Sequence, residues 1–187
     1  MNISTSTILP CVLFAGVMSL VVSMEQAQAS PTVPDTAVYA SLEKFHGHVC
    51  AGSIFGARLG LAAKEALKEA GGIGKFKARY YDLSCPVDGI QMAAGTTYGN
   101  GALAVDDRDE HRLILTADGN KRQVEARLTK KAEESGLRSR DLGKKAKSLP
   151  EGSPERKRLE HEVEEIFGWL RTAPTQEIVT VTVLSKR

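Results

Sequence analysis

The chain has 187 residues, is 42% hydrophobic and 26% charged, and carries a formal net charge of +2. That profile fits a single globular domain, with an appendage at most, and the near balance of charge gives no case for a nucleic-acid partner. With 5% aromatic residues, the core is expected to lean on Ala, Leu, Val and Ile.

In chain order, the first segment reads as an address. The stretch ILPCVLFAGVMSLVV, residues 8–22, is apolar and uncharged. Ala27-Gln28-Ala29 fits the small-x-small rule for signal peptidase, with cleavage between Ala29 and Ser30. The run is short for a membrane span. The expectation is a signal peptide over residues 1–29, a mature chain with no stable membrane span, and a periplasmic or secreted location. An uncleaved anchor is the alternative. Two cysteines, Cys50 and Cys85, then remain, in a compartment that permits a disulfide.

Residues 30–35, SPTVPD, read as a linker. Asp35 or Thr36 can cap a helix through VYASLEKF that ends at the glycine of HGH. A second predicted helix, SIFGARLGLAAKEALKEA, places Ile54, Leu59, Ala62, Ala66 and Ala70 near helical spacing and stops at Gly71-Gly72. Gly56 and Gly60, four apart, suggest close packing against a sheet. Lys77 to Leu83 reads as a strand broken by SCP, after which Pro86 starts a short helix through VDGIQMAAG. TTYGNG is a glycine-rich turn. ALAVDD and RLILTA read as strands joined around Arg108 to His111. Asp118-Gly119-Asn120 is a hairpin signal and QVEARL a further strand, which together make a meander of about three strands.

Residues 129–171 are charge-rich and helical, an insertion before the last strand. Ser153-Pro154 caps its final helix, whose apolar stripe is Leu159, Val163, Ile166, Phe167 and Leu170. EIVTVTVL alternates as a terminal strand. The insertion's Lys, Arg and Glu read as a solvated helical face with mixed-sign pairs.

The chemistry concentrates in FHGHVCAG, residues 45–52. It holds His46, His48 and Cys50, although the whole chain has 4 His and 3 Cys. In an extended chain the alternation puts all three on one side. Imidazole and thiolate are ligands for zinc and similar divalent metals. Cys50 also stands just before a helix, whose amino terminus favours a thiolate. A second thiol, Cys85, occupies the break before the next helix, and Asp88, one turn on, can orient an imidazole. Three readings stay open on spacing alone: a Cys50–Cys85 disulfide, a metal site of His and Cys with one open position, or free thiols and core residues. His111 in the expected hairpin and His161 on the charged helix read as solvated surface residues. GTTYGNG lacks the GK[ST] ending of a phosphate loop.

FHGHVCAG, GARLGLAA, CPVDGIQ, GTTYGNGAL and KRQVEARL, in that order over about Leu42 to Leu128, resemble the FmdE family, which is named after a component of formylmethanofuran dehydrogenase. The resemblance implies an α+β fold, mainly antiparallel sheet with packed helices, over residues 30–187, and a homodimer. It implies a metal site, with zinc the usual ion or another divalent transition metal in its place. Carried onto this chain, the metal ligands are His48, Cys50 and Cys85, with His46 as a fourth ligand or proton carrier; His46 and Asp88 are the candidate catalytic pair. The chain departs from the family pattern at Ala51, where proline is usual, and at Thr96, Asn100 and Ala102, where cysteine, lysine and asparagine are common. The function expected is an exported metal-binding protein, either a metal-dependent enzyme acting on a small molecule or an accessory to a molybdenum or tungsten oxidoreductase. A non-enzymatic metal carrier or sensor, and a thiol-redox or disulfide-stapled binding module, are the alternatives.

Overall fold

The computed structural model describes residues 37–185. The expected signal peptide over residues 1–29 lies outside the described residues. Among those described, no helix is long and apolar enough to cross a membrane.

The fold is α+β. Its elements begin with α1 (Ala37–His46), α2 (Ala51–Glu69), β1 (Phe76–Tyr81), α3 (Pro86–Ala94), β2 (Leu103–Val105), β3 (Glu110–Ala117) and β4 (Gln123–Leu128). They continue with α4 (Lys130–Lys147), α5 (Pro154–Thr172), the single turn α6 (Thr175–Ile178) and β5 (Val179–Leu184). The five strands form one sheet in the order β2-β1-β3-β4-β5, with every neighbouring pair antiparallel except β1 and β2.

Two expectations about strands need correction. ALAVDD and RLILTA do not form a hairpin: β2 pairs parallel with β1, Ala78 opposite Leu103, and β1 separates it from β3. Parallel neighbours require a crossover connection, and α3 with its flanking turns supplies it. The antiparallel run is instead β1-β3-β4-β5, with the turn at residues 118–120 joining β3 to β4 as expected. The last strand is also shorter than EIVTVTVL, because Glu177 and Ile178 close the turn of α6 before pairing begins at Val179.

Strand alternation sorts the two faces of the sheet. Ala78, Tyr80, Leu113, Leu115, Val124, Ala126, Leu128 and Val179 are buried, and α2 lies across β3, β4 and β5. Leu42, Ile54, Leu59, Leu67 and Ile90, all at 0% exposure, complete this core from the helices. Lys77, Arg79 and Arg127, at the alternate positions, are exposed.

The glycines of α2 serve a different partner from the sheet expected for them. A Cβ on Gly56 would fall 1.9 Å from the carbonyl oxygen of Pro86, and one on Gly60 2.9 Å from Cβ of Ala93. Gly89 answers from α3, where a Cβ would meet Ser53 O at 2.3 Å and Ala57 N at 2.4 Å. Backbone therefore touches backbone between α2 and α3, and this contact fixes both helix starts.

The charged insertion is a helical pair, α4 packed on α5, broken over residues 148–153 where Ser153 caps α5 through the Arg156 amide. Leu159, Phe167 and Leu170 are buried, while Val163 and Ile166 pack against the core from partly buried positions. The return to the domain is secured by Arg58, 1% exposed. Its guanidinium donates to Arg171 O at 3.0 Å and Ala173 O at 2.7 Å, satisfying carbonyls that the end of α5 leaves open.

Candidate metal centre

The end of α1 and the starts of α2 and α3 meet at one place. α1 stops at His46 because Gly47 takes φ +84° while its amide still reaches Glu43 O at 2.9 Å; glycine adopts this left-handed turn without a side-chain clash. The chain then passes His48 and reaches Cys50, the N-cap of α2, at φ −139° and ψ 165°. The motif is therefore not an extended segment. A helix end, a left-handed turn and an N-cap fold five residues back on themselves. The donor atoms of His46, His48 and Cys50 all lie within 4.8 Å of one another, and the two imidazole centroids are 4.7 Å apart.

Asp88, in the first turn of α3, holds His46: Nδ1 is 2.6 Å from Oδ2. The same carboxylate accepts from Gln91 Nε2 at 3.2 Å, and Gln91 Oε1 in turn accepts from the Tyr98 amide at 2.9 Å. The glycine-rich turn thus steadies Asp88 through Gln91. With Nδ1 occupied, His46 turns Nε2 toward Cys50 Sγ at 3.8 Å. The hydrogen bond to Asp88 raises the His46 pKa above the ordinary imidazole value against an opposing push from burial, with Cys50 adding to the rise.

Cys50 closes a capping box. Its Sγ accepts from the Ser53 amide at 3.4 Å, and its own amide donates to Ser53 Oγ at 3.1 Å. Burial pushes the thiol up, but the Ser53 amide and hydroxyl, the Cys85 thiol and His46 outweigh it, so the Cys50 pKa falls below the ordinary value. Cys85 moves the other way, raised by burial and then by Cys50. Of the two thiols, Cys50 is the more readily ionised.

Both cysteines are free thiols. Cys85 stands outside the compact triplet of His46, His48 and Cys50. It adjoins Cys50 and packs beside Gly52, where an added Cβ would come within 2.8 Å of its own Cβ.

A cleft of about 620 Å³ opens over this cluster, lined by His48, Cys50, Phe55, Pro86 and Cys85. Its other walls carry residues that the sequence alone does not assign to the site: Asp82, Asp109 and His111 from the sheet side, and Glu133, Leu137 and Arg140 from α4. The insertion is therefore more than a solvated face. Its Gly136 abuts the Phe55 ring, and one side of α4 forms a wall of the cleft.

His111 corrects the surface reading. It belongs to β3, not to a hairpin loop, and its Nδ1 lies 2.9 Å from the Tyr80 hydroxyl and 3.4 Å from Asp82 Oδ2. Ser84 donates to the same Asp82 oxygen. The signal in the sequence is weak: a histidine at a strand start opposite tyrosines. A register shift between Tyr80 and Tyr81 in the β1–β3 pairing sets that end of the strand. His161, in contrast, lies exposed beside Glu165 as expected.

Among curated proteins, none matches the chain. Among solved structures, it is similar to a tungsten formylmethanofuran dehydrogenase FmdE-like protein from Syntrophus aciditrophicus, at 18% identity and a TM-score of 0.54. That similarity covers 83% of this chain and 78% of that one, and it supports the fold alone. A family model described as "FmdE, Molybdenum formylmethanofuran dehydrogenase operon" matches residues 45–180. That span includes the His46–Cys50 turn, both helix starts, β1 to β4 and the α4–α5 pair, and on it the chain belongs to the FmdE family.

Proposed function

We propose that this FmdE-family chain binds one divalent transition ion, zinc by donor chemistry, through His46, His48 and Cys50, with Cys85 beside them. The observation that carries this reading is the Asp88–His46 pair. A carboxylate on Nδ1 leaves Nε2 directed at a thiol whose pKa is already lowered, the arrangement by which outer partners fix a ligand's tautomer and orientation. Two imidazoles and a thiolate suit zinc and its neighbours among the borderline metals. At such a centre zinc supplies Lewis acidity.

His48 is exposed and lines the cleft, so the centre is reachable from solvent. The cleft's volume falls within the range of small-molecule sites, about 300–1,000 Å³. This supports work on a small molecule, or an accessory role to a molybdenum or tungsten oxidoreductase as the family's description suggests. The same exposure favours a second reading, a carrier that exchanges its ion without turnover. Export and a homodimer belong to the same proposal.

The test is metal analysis of protein purified without chelator, combined with thiol counting before and after metal removal. The expected result is about one ion per chain and a Cys50 thiol that becomes reactive only in the stripped protein. Metal-free protein with the two cysteines joined would favour the thiol-redox alternative.

A further inference from the structure

The cleft holds a polar group with no part in the metal cluster. His111 lines it from β3, and its Nδ1 is engaged by Tyr80 and Asp82. Among the described residues no hydrogen bond reaches Nε2. The Tyr80 side chain is fully buried, and its hydroxyl makes one hydrogen bond, to Nδ1 at 2.9 Å.

We propose that His111 is a fixed hydrogen-bond donor to the ligand of this cleft, presenting Nε2–H to the carbonyl oxygen of a small neutral molecule. The phenol sets the tautomer. Burial, reinforced by the nearby carboxylates of Asp82 and Glu133, raises the Tyr80 pKa, so the hydroxyl keeps its proton. A buried O–H proton left without an acceptor bears a desolvation penalty that nothing offsets. Nδ1 is the acceptor in reach, and accepting there places the neutral ring's proton on Nε2. In the imidazolium form both nitrogens carry protons, and Asp82 at 3.4 Å balances the charge. The only state that removes the proton from Nε2 is the Nδ1–H tautomer, which strands the phenolic proton. His111 therefore offers a donor in either charge state, with Tyr80 and Asp82 as positioning residues.

The walls of the metal-free cleft select the ligand's charge. Asp82, Asp109 and Glu133 outnumber Arg140, so without the ion an anion is repelled while a neutral carbonyl, an amide or a ketone, is not. The inference rests on the cleft serving the proposed metal centre. It is tested on metal-free protein so that its failure and that of metal binding are separate results.

The experiment is long-range ¹H–¹⁵N correlation of the histidine rings. In wild-type protein the protonated nitrogen of neutral His111 is expected at Nε2. In Tyr80→Phe, which keeps the ring and removes the donor, the proton is expected to move to Nδ1. Titration with acetamide should shift the His111 Nε2–H signal saturably, and acetate should do so more weakly. A wild-type Nδ1–H tautomer overturns the proposal even if the variant does not fold. No response to acetamide, or a stronger response to acetate, overturns the assigned ligand.

Discussion

His46 Nδ1 and Asp88 Oδ2 lie 2.6 Å apart although 42 positions separate them in the chain. The pair joins the last residue of α1 to the first turn of α3. It points the second ring nitrogen at Cys50. Asp88→Asn keeps the shape and removes the charge. The expected outcome is a loss of roughly 10–100-fold in metal affinity, the usual cost of an outer-partner change, with little change in thermal stability. Competition against a chromophoric chelator, alongside a melting curve, checks both halves. Unchanged affinity would remove His46 from the ligand set.

Cys50 has two roles that one substitution separates. Its sulfur is a metal donor in the proposal and an N-cap in the structure. Serine is a preferred cap, so Cys50→Ser should leave the unfolding midpoint of the metal-free protein within about 1 kcal/mol of wild type while abolishing tight metal binding. Metal content after dialysis and chemical denaturation of the stripped protein measure the two effects. Loss of stability with metal content retained would reverse the assignment.

Much of this site is legible in the sequence because its signals are local. The glycine of HGH ends a helix, the thiol before AGSIF caps the next, and Pro86 starts a third, so helix punctuation alone gives the positions of His46, Cys50, Cys85 and Asp88. It does not give the geometry of convergence. The alternation of HxHxC would put all three ligands on one side of an extended chain, whereas a single left-handed glycine bends the segment. His111 escapes a sequence reading because its surroundings come from pairing across the sheet: Tyr80 and Asp82 reach it only once β1 lies beside β3. The place of β2 is hidden for a related reason, since a three-residue strand carries too little pattern to show which neighbour it will join. The charge-rich helices are recognisable as helices, but an amphipathic face does not reveal what it will cover. Phe55 receiving Gly136 is a long-range fact.

The α2–α3 contact makes a stability contrast. Gly89→Ala drives a methyl into the backbone of α2, at 2.3 Å from Ser53 O, so destabilisation of at least about 1–3 kcal/mol is expected, the range for overpacking. Gly143, inside α4, has open space where a methyl would stand. There alanine should stabilise by roughly 0.5–1 kcal/mol through helix propensity. Urea midpoints for the two variants measure the contrast, and equal effects would contradict the packing described.

Glu125 gives the sheet's open face a pH dependence. Arg127 Nε at 2.7 Å, with Arg112 Nη1 at 3.5 Å, outweighs burial and holds its carboxyl below the ordinary range. A depressed folded-state pKa contributes stability above the unfolded value, and that contribution is lost as the pH falls through the folded one. Glu125→Gln should therefore lower the urea midpoint near about pH 7 but not near about pH 2, below both carboxyl values. The difference is small because the pair is largely solvated. An equal deficit at both pH values would show that the ion pair is not its source.

The most direct test of the central claim is zinc-edge X-ray absorption on protein loaded with less than one equivalent of the metal. Coordination by His46, His48 and Cys50 predicts a mixed shell, with sulfur at about 2.3 Å and nitrogen at about 2.0–2.1 Å, and loss of the sulfur contribution in Cys50→Ser. A shell of nitrogen and oxygen alone, identical in wild type and variant, would contradict it.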